Sequence, residues 1–333
     1  MRRQTSHRSH WLTTRLIGFL LAECLAVPLF AQQRTGSLTG TVRDQSGALI
    51  EGARVEARNK ATGLVRHTFT DASGGFRITA LELGEYEVSA QKHGFKTGVI
   101  ANVTLELERE AVVSFRLVLG ELSDTVTVTA QAWLVEATAS AFSSLTDSKT
   151  IQDLPLNGRD YVQLAALQPG APAARAQYRN VNNGFGVQLS FSGSRPYQNN
   201  FQLDGVSLTS YSGSTPGSIN GVNLGVEAIR EFSVLTSAYS AQYGRAAGGV
   251  VHAATRSGSN EFRGSAFYFH RNDNLDARNF FDAEQPPEFR RHQFGGSAGG
   301  PIVRDRSFFF GSYEGFRELR GNTTIDTTLS DEA

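Results

Sequence analysis

Histidine, cysteine and paired carboxylates carry the broadest chemical repertoire in this chain of 333 residues, and their spacing commits them to little. A zinc site needs three or four ligands converging on one ion. His270 and His292 stand apart from acidic partners at ligand spacing, so no metal cluster is expected. Gly295-Gly296-Ser297-Ala298-Gly299-Gly300 is glycine-rich but has the wrong spacing for a phosphate-binding loop. Asp44 and Asp71 are each followed shortly by glycine, which is the chemistry of a turn before that of a calcium loop. Glu227, Arg230 and Glu231 form a mixed-charge run that reads as a solvated face. No catalytic residue, metal or cofactor is assigned.

The elements around these residues belong to β structure. Gly occurs 34 times and Phe 22 times, against one Met and one Cys. That balance suits short strands punctuated by glycine. Basic and acidic residues number 32 each, so the basic excess expected of a nucleic-acid binder is absent. Residues 1–31 read as a secretory signal peptide, with Arg2, Arg3, Arg8 and Arg15 ahead of an apolar run from Leu16 to Phe30. Cleavage after Ala31 removes Cys24 and leaves a chain without disulfides.

Residues 35–119 alternate apolar and polar side chains between tight turns. Tyr86, Val88 and Ala90 alternate with Glu87, Ser89 and Gln91, and Val113, Phe115 and Leu117 with Ser114 and Arg116. This predicts an antiparallel β-sandwich. Gly40-Thr41-Val42-Arg43-Asp44, Gly52-Ala53-Arg54-Val55, Thr70-Asp71-Ala72-Ser73-Gly74-Gly75-Phe76 and Gly84-Glu85-Tyr86-Glu87-Val88 resemble the carboxypeptidase-regulatory-like family, which implies a transthyretin-like sandwich. The enzyme suggested by that name is not expected, because no histidine is followed three residues later by Glu.

Residues 131–260 are mixed. Short helices are predicted over Ser148–Leu154 and Asp160–Leu167, and a helical turn over Val226–Glu231. Strands are predicted over Val187–Gly193, Asn200–Leu203, Phe232–Leu235 and Val250–Thr255. Leu154-Pro155-Leu156-Asn157-Gly158-Arg159, Phe201-Gln202-Leu203-Asp204-Gly205-Val206, Val226-Glu227-Ala228-Ile229-Arg230-Glu231-Phe232-Ser233-Val234, and Tyr243-Gly244 through Gly248-Gly249-Val250-Val251 resemble the plug of TonB-dependent outer-membrane receptors. Leu235-Thr236-Ser237 and the leading sandwich point to the Oar-like branch, which implies an unspecified cargo. Arg195, Asn199, Asn200 and Asp204 are candidates to face it, with local turn and strand roles as the alternative.

Residues 261–333 hold three further strand candidates, Phe262–Arg271, Arg291–Gly299 and Ser307–Phe316. A long first connection and a short second one fit the outer loop and periplasmic turn of an outer-membrane barrel. Phe267, Phe269, Phe308, Phe309, Phe310 and Tyr313 would suit its lipid face. Only 73 residues follow Asn260, so this stretch is expected to be the start of a barrel completed elsewhere, in a longer chain or by a second polypeptide. The expected architecture is mainly β: signal peptide 1–31, sandwich 35–119, linker 120–130, mixed α/β plug 131–260, and the first strands of an incomplete outer-membrane β-barrel, 261–333.

Within the linker, Asp124, Thr125, Val126, Thr127, Val128, Thr129 and Ala130 form a β-branched, alternating segment. Such a segment can add as a strand to a partner's open sheet edge. It equally suits a last sandwich strand or a plain linker. Its place ahead of a plug resembles a TonB box, which implies a TonB-type periplasmic energising protein as partner. The whole then reads as the N-terminal part of an energised outer-membrane transporter, touching outer-membrane lipid and an unknown cargo. The sandwich and plug would lie on the periplasmic side. A secreted or periplasmic binding or adhesion protein is the alternative.

Overall fold

The computed structural model describes residues 35–107, 109–121, 125–127, 133–136, 142–154, 156, 159–171, 189–209, 224–237, 244, 246–278, 280 and 285–321. The expected signal peptide lies outside them. No helix among the described residues is long and apolar enough to cross a membrane.

The first body is a two-sheet sandwich. Its strands are β1 (Thr35–Asp44), β2 (Arg54–Asn59), β3 (Val65–Phe69), β4 (Gly75–Glu82), β5 (Gly84–Gln91), β6 (Thr97–Leu105), β7 (Arg109–Leu117), β8 (Thr125–Thr127) and β9 (Trp133–Glu136). One sheet runs β4-β1-β7-β9 and the other β3-β2-β5-β6-β8. The period-two pattern does what strand geometry requires of it. In β5, Tyr86, Val88 and Ala90 are buried while Glu85 and Glu87 are exposed. Leu38, Val55, Val103 and Phe115 fill the space between the sheets, and the Phe76 and Phe115 rings lie 6.4 Å apart. A fully buried side chain of this size stabilises the fold by about 1.5–3 kcal/mol.

The expectation of a purely antiparallel sandwich is corrected at two places. β1 pairs with β7 in parallel, from Ser37↔Glu110 to Asp44↔Leu117, and β8 pairs with β6 in parallel. In the first case, the chain leaves β1 for the other sheet, comes back as β4 on one side of β1, and reaches the other side as β7 only after five intervening strands. Gly40 sits in this parallel ladder because a Cβ there would collide with the Val113 carbonyl and the Phe76 ring. In the Asp71–Gly75 turn, Asp71 Oδ1 accepts from the Ser73 and Gly75 amides, and Gly74 takes a positive φ of 63°. Asp71 is thus occupied by its own loop.

The plug follows. β10 (Phe142–Asp147), β13 (Ile229–Ser237), β14 (Val250–Thr255), β11 (Asn200–Leu203) and β12 (Val206–Ser207) form one sheet in that spatial order. Helix α1 (Ser148–Asp153) and a 3-10 helix (Tyr161–Leu167) cover it, bringing Ile151, Tyr161 and Leu164 onto Phe232, Val234 and Val251. Asp160 caps the second helix by accepting from the Val162 amide at 3.0 Å. Asp204 and Gly205 take positive φ values of 50° and 82°, the signature of a two-residue hairpin turn, and join β11 to β12. Two expectations are revised. The helical turn is confined to Val226–Ala228, with β13 starting at Ile229, and residues 189–193 form no extended strand.

The last body is an antiparallel sheet of β15 (Arg263–Asn272), β16 (Phe289–Val303) and β17 (Ser307–Arg320). β16 and β17 run longer than predicted, leaving the short turn Arg304–Arg306 between them. One face meets the plug. It carries Ser265, Phe267 and Phe269 of β15, Gln293 of β16 and Glu314 of β17. Tyr268 and Tyr313 stand exposed on the other face. Phe267 and Phe269 therefore leave the expected lipid-facing set and line the plug side. Alternation likewise separates Phe309 and Tyr313 from Phe308 and Phe310.

Candidate functional site

Thr125, Val126 and Thr127 form β8, the outermost strand of the five-stranded sheet, in register with Thr97, Gly98 and Val99 of β6. Asp124, Val128, Thr129 and Ala130 of the same candidate segment lie outside the described residues. A few residues on, Trp133–Glu136 pairs with β7, from Val112↔Trp133 to Arg109↔Glu136. The segment between sandwich and plug thus adds one strand to each sheet of the sandwich.

The plug meets the barrel strands through buried charge. Arg159, at a positive φ of 53°, reaches Glu227 Oε1 at 2.7 Å and Glu314 Oε1 at 3.7 Å. Its guanidinium also stacks over Phe267 at 4.1 Å. Glu227 Oε2 accepts from Gln152 Nε2 at 3.0 Å and from Ser265 Oγ at 2.6 Å. Gln293 Nε2 donates to Glu314 at 2.6 Å. The network joins α1, the segment before the 3-10 helix, β15, β16 and β17. It overturns the solvated face expected for Glu227 and Glu231, which are only 7% and 9% exposed. The signal available in the sequence was their flanking by Val226, Ala228, Ile229 and Phe232, all buried.

Glu231 serves a second junction. Its Oε2 accepts the Leu107 amide of the sandwich at 2.8 Å, and its Oε1 takes Arg230 Nε at 3.3 Å. Burial pushes its carboxyl above the usual range, opposed by those donors. Leu83 and Leu107 of the sandwich close on Ala254 of the plug, with Leu145 beside them. A third tie lies at the start of the barrel strands. The Asn260 amide donates to Ala61 O of the sandwich at 2.9 Å, while its side chain exchanges two hydrogen bonds with Asp305 in the β16–β17 turn. Glu231→Ala is expected to leave the Leu107 amide unsatisfied, at about 1–3 kcal/mol. Faster hydrogen exchange at Leu107, with the sandwich core unchanged, would show it.

Each of the four plug residues considered for cargo makes hydrogen bonds within the plug. Asn199 is buried, donating to Leu189 O at 2.8 Å and accepting from the Gly249 amide at 3.0 Å. Asn200 is buried too and donates to Gly244 O while accepting from Ser207 Oγ. Asp204 holds the Thr255 amide and hydroxyl, both at 2.9 Å. Arg195 lies at the surface against the Tyr197 hydroxyl. Gly295-Gly296-Ser297-Ala298-Gly299 also spells Gly-x-Ser-x-Gly, but it runs inside β16. A nucleophile elbow needs a strand-to-helix turn there.

Residues 37–118 match the carboxypeptidase regulatory-like domain, residues 136–251 the TonB-dependent receptor plug domain, and residues 254–333 an outer membrane beta barrel domain. Over 96% of its length the chain is 27% identical to the TonB-dependent transporter Oar of Myxococcus xanthus, and spans about 30% of that protein. Among solved structures it is similar to the siderophore receptor PirA from Acinetobacter baumannii, at 23% identity over 54% of this chain and 25% of that one, with a TM-score of 0.41. It is similar also to the outer membrane transporter YddB from Escherichia coli, at 20% identity over 53% of this chain and 26% of that one, with a TM-score of 0.42. Sandwich, plug and barrel strands thus stand in this order in the chain, each matched by its own domain family, and nearly the whole length resembles the N-terminal part of a TonB-dependent transporter.

Proposed function

We propose that this chain supplies the periplasmic sandwich, the plug and the first barrel strands of an energised outer-membrane transporter. In this reading a TonB-type periplasmic protein binds the segment around β8 and draws on the plug, opening a path for cargo. The observation that carries the proposal is the kind of contact between plug and barrel strands. Arg159, Glu227 and Glu314 form an ionic seal with amide and hydroxyl partners. A buried ion pair binds weakly on balance, because water regains both charges when they part. A plug held this way is well fixed while all partners are present and still separable under load.

The β-branched composition of the β8 segment supports its role as the point of attachment, since backbone pairing to a partner strand needs an extended conformation. Deleting residues 124–130 is expected to abolish capture of the full chain by an immobilised C-terminal domain of the host's TonB-type protein. The sandwich and plug should keep their protease resistance. Undiminished capture would overturn the attachment point. Outer-membrane fractionation tests the location: recovery as a folded periplasmic monomer would count against the transporter.

A further inference from the structure

We infer that the energising protein binds β8 while β8 remains seated on the sandwich, by adding its own strand to β8's open edge. The inference rests on the reading above that this segment is the attachment point, and it deepens it. The sandwich then becomes a presenting platform.

Three observations carry it. First, β8 is the terminal strand in the order β3-β2-β5-β6-β8. A terminal strand spends one row of backbone groups on its neighbour and presents the other. Among the described residues no strand pairs with β8's other side, so Thr125–Thr127 offers a partner that edge without giving up its pairing with Thr97–Val99. Second, the segment is held on both sides. β8 lies on β6, and Trp133–Glu136 lies on β7 in the opposite sheet. The residues between them can span only about 3.3–3.6 Å each. Leaving the sandwich would mean breaking one ladder or the other, whereas addition at the open edge breaks neither. Third, the platform is tied to what must move. The sandwich reaches β13 through Leu107 and Glu231, and the barrel turn through Ala61, Asn260 and Asp305. Load applied to β8 enters the plug through these contacts as well as along the chain. A strand already extended also loses less freedom on binding than a free peptide.

The test joins β8 to β6. Val99 and Thr127 are register partners, and neighbouring strands lie about 4.8 Å apart, within the Cα separation of about 4.4–6.8 Å that a disulfide accepts. The full chain carrying Val99→Cys and Thr127→Cys is assayed, oxidised and reduced, against the purified C-terminal domain of the host's TonB-type protein. Oxidation is expected to change the dissociation constant by less than about fivefold, under 1 kcal/mol. Weakening of about fivefold or more, restored by reductant, would show that β8 must leave β6, and would overturn the inference. Hydrogen exchange on the wild-type chain gives a second readout. Amides 97–99 should stay as protected with the partner bound as without it; their deprotection on binding would overturn the inference. Failure of the underlying reading looks different: binding by the otherwise wild-type chain then survives deletion of residues 124–130.

Discussion

Replacing Arg159 with methionine should loosen the plug from the barrel strands by about 3–5 kcal/mol, the usual cost of leaving a buried charge without its partner. Methionine keeps most of the side-chain volume over Phe267, so the loss is electrostatic. Glu227 and Glu314, each about 10% exposed, would then keep Gln152, Ser265 and Gln293 as hydrogen-bond donors, with Arg256 still acting on Glu227 from a distance. Hydrogen exchange in β13 and protease cleavage near Glu227 should both accelerate. The double variant Arg159→Met with Glu227→Gln should recover part of the loss, because it removes one of the stranded charges. A double variant no better than the single one would mean that Arg159 acts through packing alone.

The next residue carries an effect of opposite sign. Asp160 is 3% exposed; its Oδ1 caps the helix at Val162, and its buried Oδ2 has no hydrogen-bond partner among the described residues. Burial pushes its carboxyl from the ordinary 3.8 up to about 6, the Val162 amide opposing the rise. The folded plug therefore holds this proton more tightly than the unfolded chain does. The stability linked to it is fully present below about pH 4 and is lost as the pH rises through about 6, amounting to about 3 kcal/mol for two units. Asp160→Asn keeps the cap and removes the charge, though its amide arrives where no acceptor waits. We expect a gain of about 1–2 kcal/mol at pH 7.5 that fades by pH 4, read from the opening free energy of plug amides. An equal gain at both values would rule out ionisation as the cause.

These two neighbours mark how far the sequence could be read. Asp160 ahead of an apolar helical face was legible as a helix start, because capping and periodicity are local. So were Asp204-Gly205 as a turn and Tyr86, Val88 and Ala90 as one face of a strand. Arg159 was visible only as part of a motif. Its role depends on Glu227 and Glu314, which chain topology brings together from different elements. Glu227 and Glu231 were misread because charge normally marks solvent; Arg159, Gln152 and Ser265 around Glu227, and Arg230 and the Leu107 amide around Glu231, make burial tolerable. The parallel pairing of β1 with β7 was equally out of reach: alternation says which face a residue takes, never which neighbour or direction. Phe267 and Phe269 show the same limit from the other side. Their apolar character was clear, but a guanidinium and lipid offer them similar reasons to be on a strand.

Asn260 and Asp305 also set a schedule. The two residues that clasp sandwich, plug junction and barrel turn are 45 positions apart, and Asp305 lies between β16 and β17. During synthesis Asn260 emerges with its sandwich partner already made and its barrel partner still absent. Arg159 meets Glu227 after 68 residues and Glu314 only when β17 exists. Contacts this distant along the chain repay their closure entropy late. The third barrel strand thus closes the set: until it arrives, sandwich and plug hold each other through Leu107 and Glu231, while Arg159 still lacks Glu314.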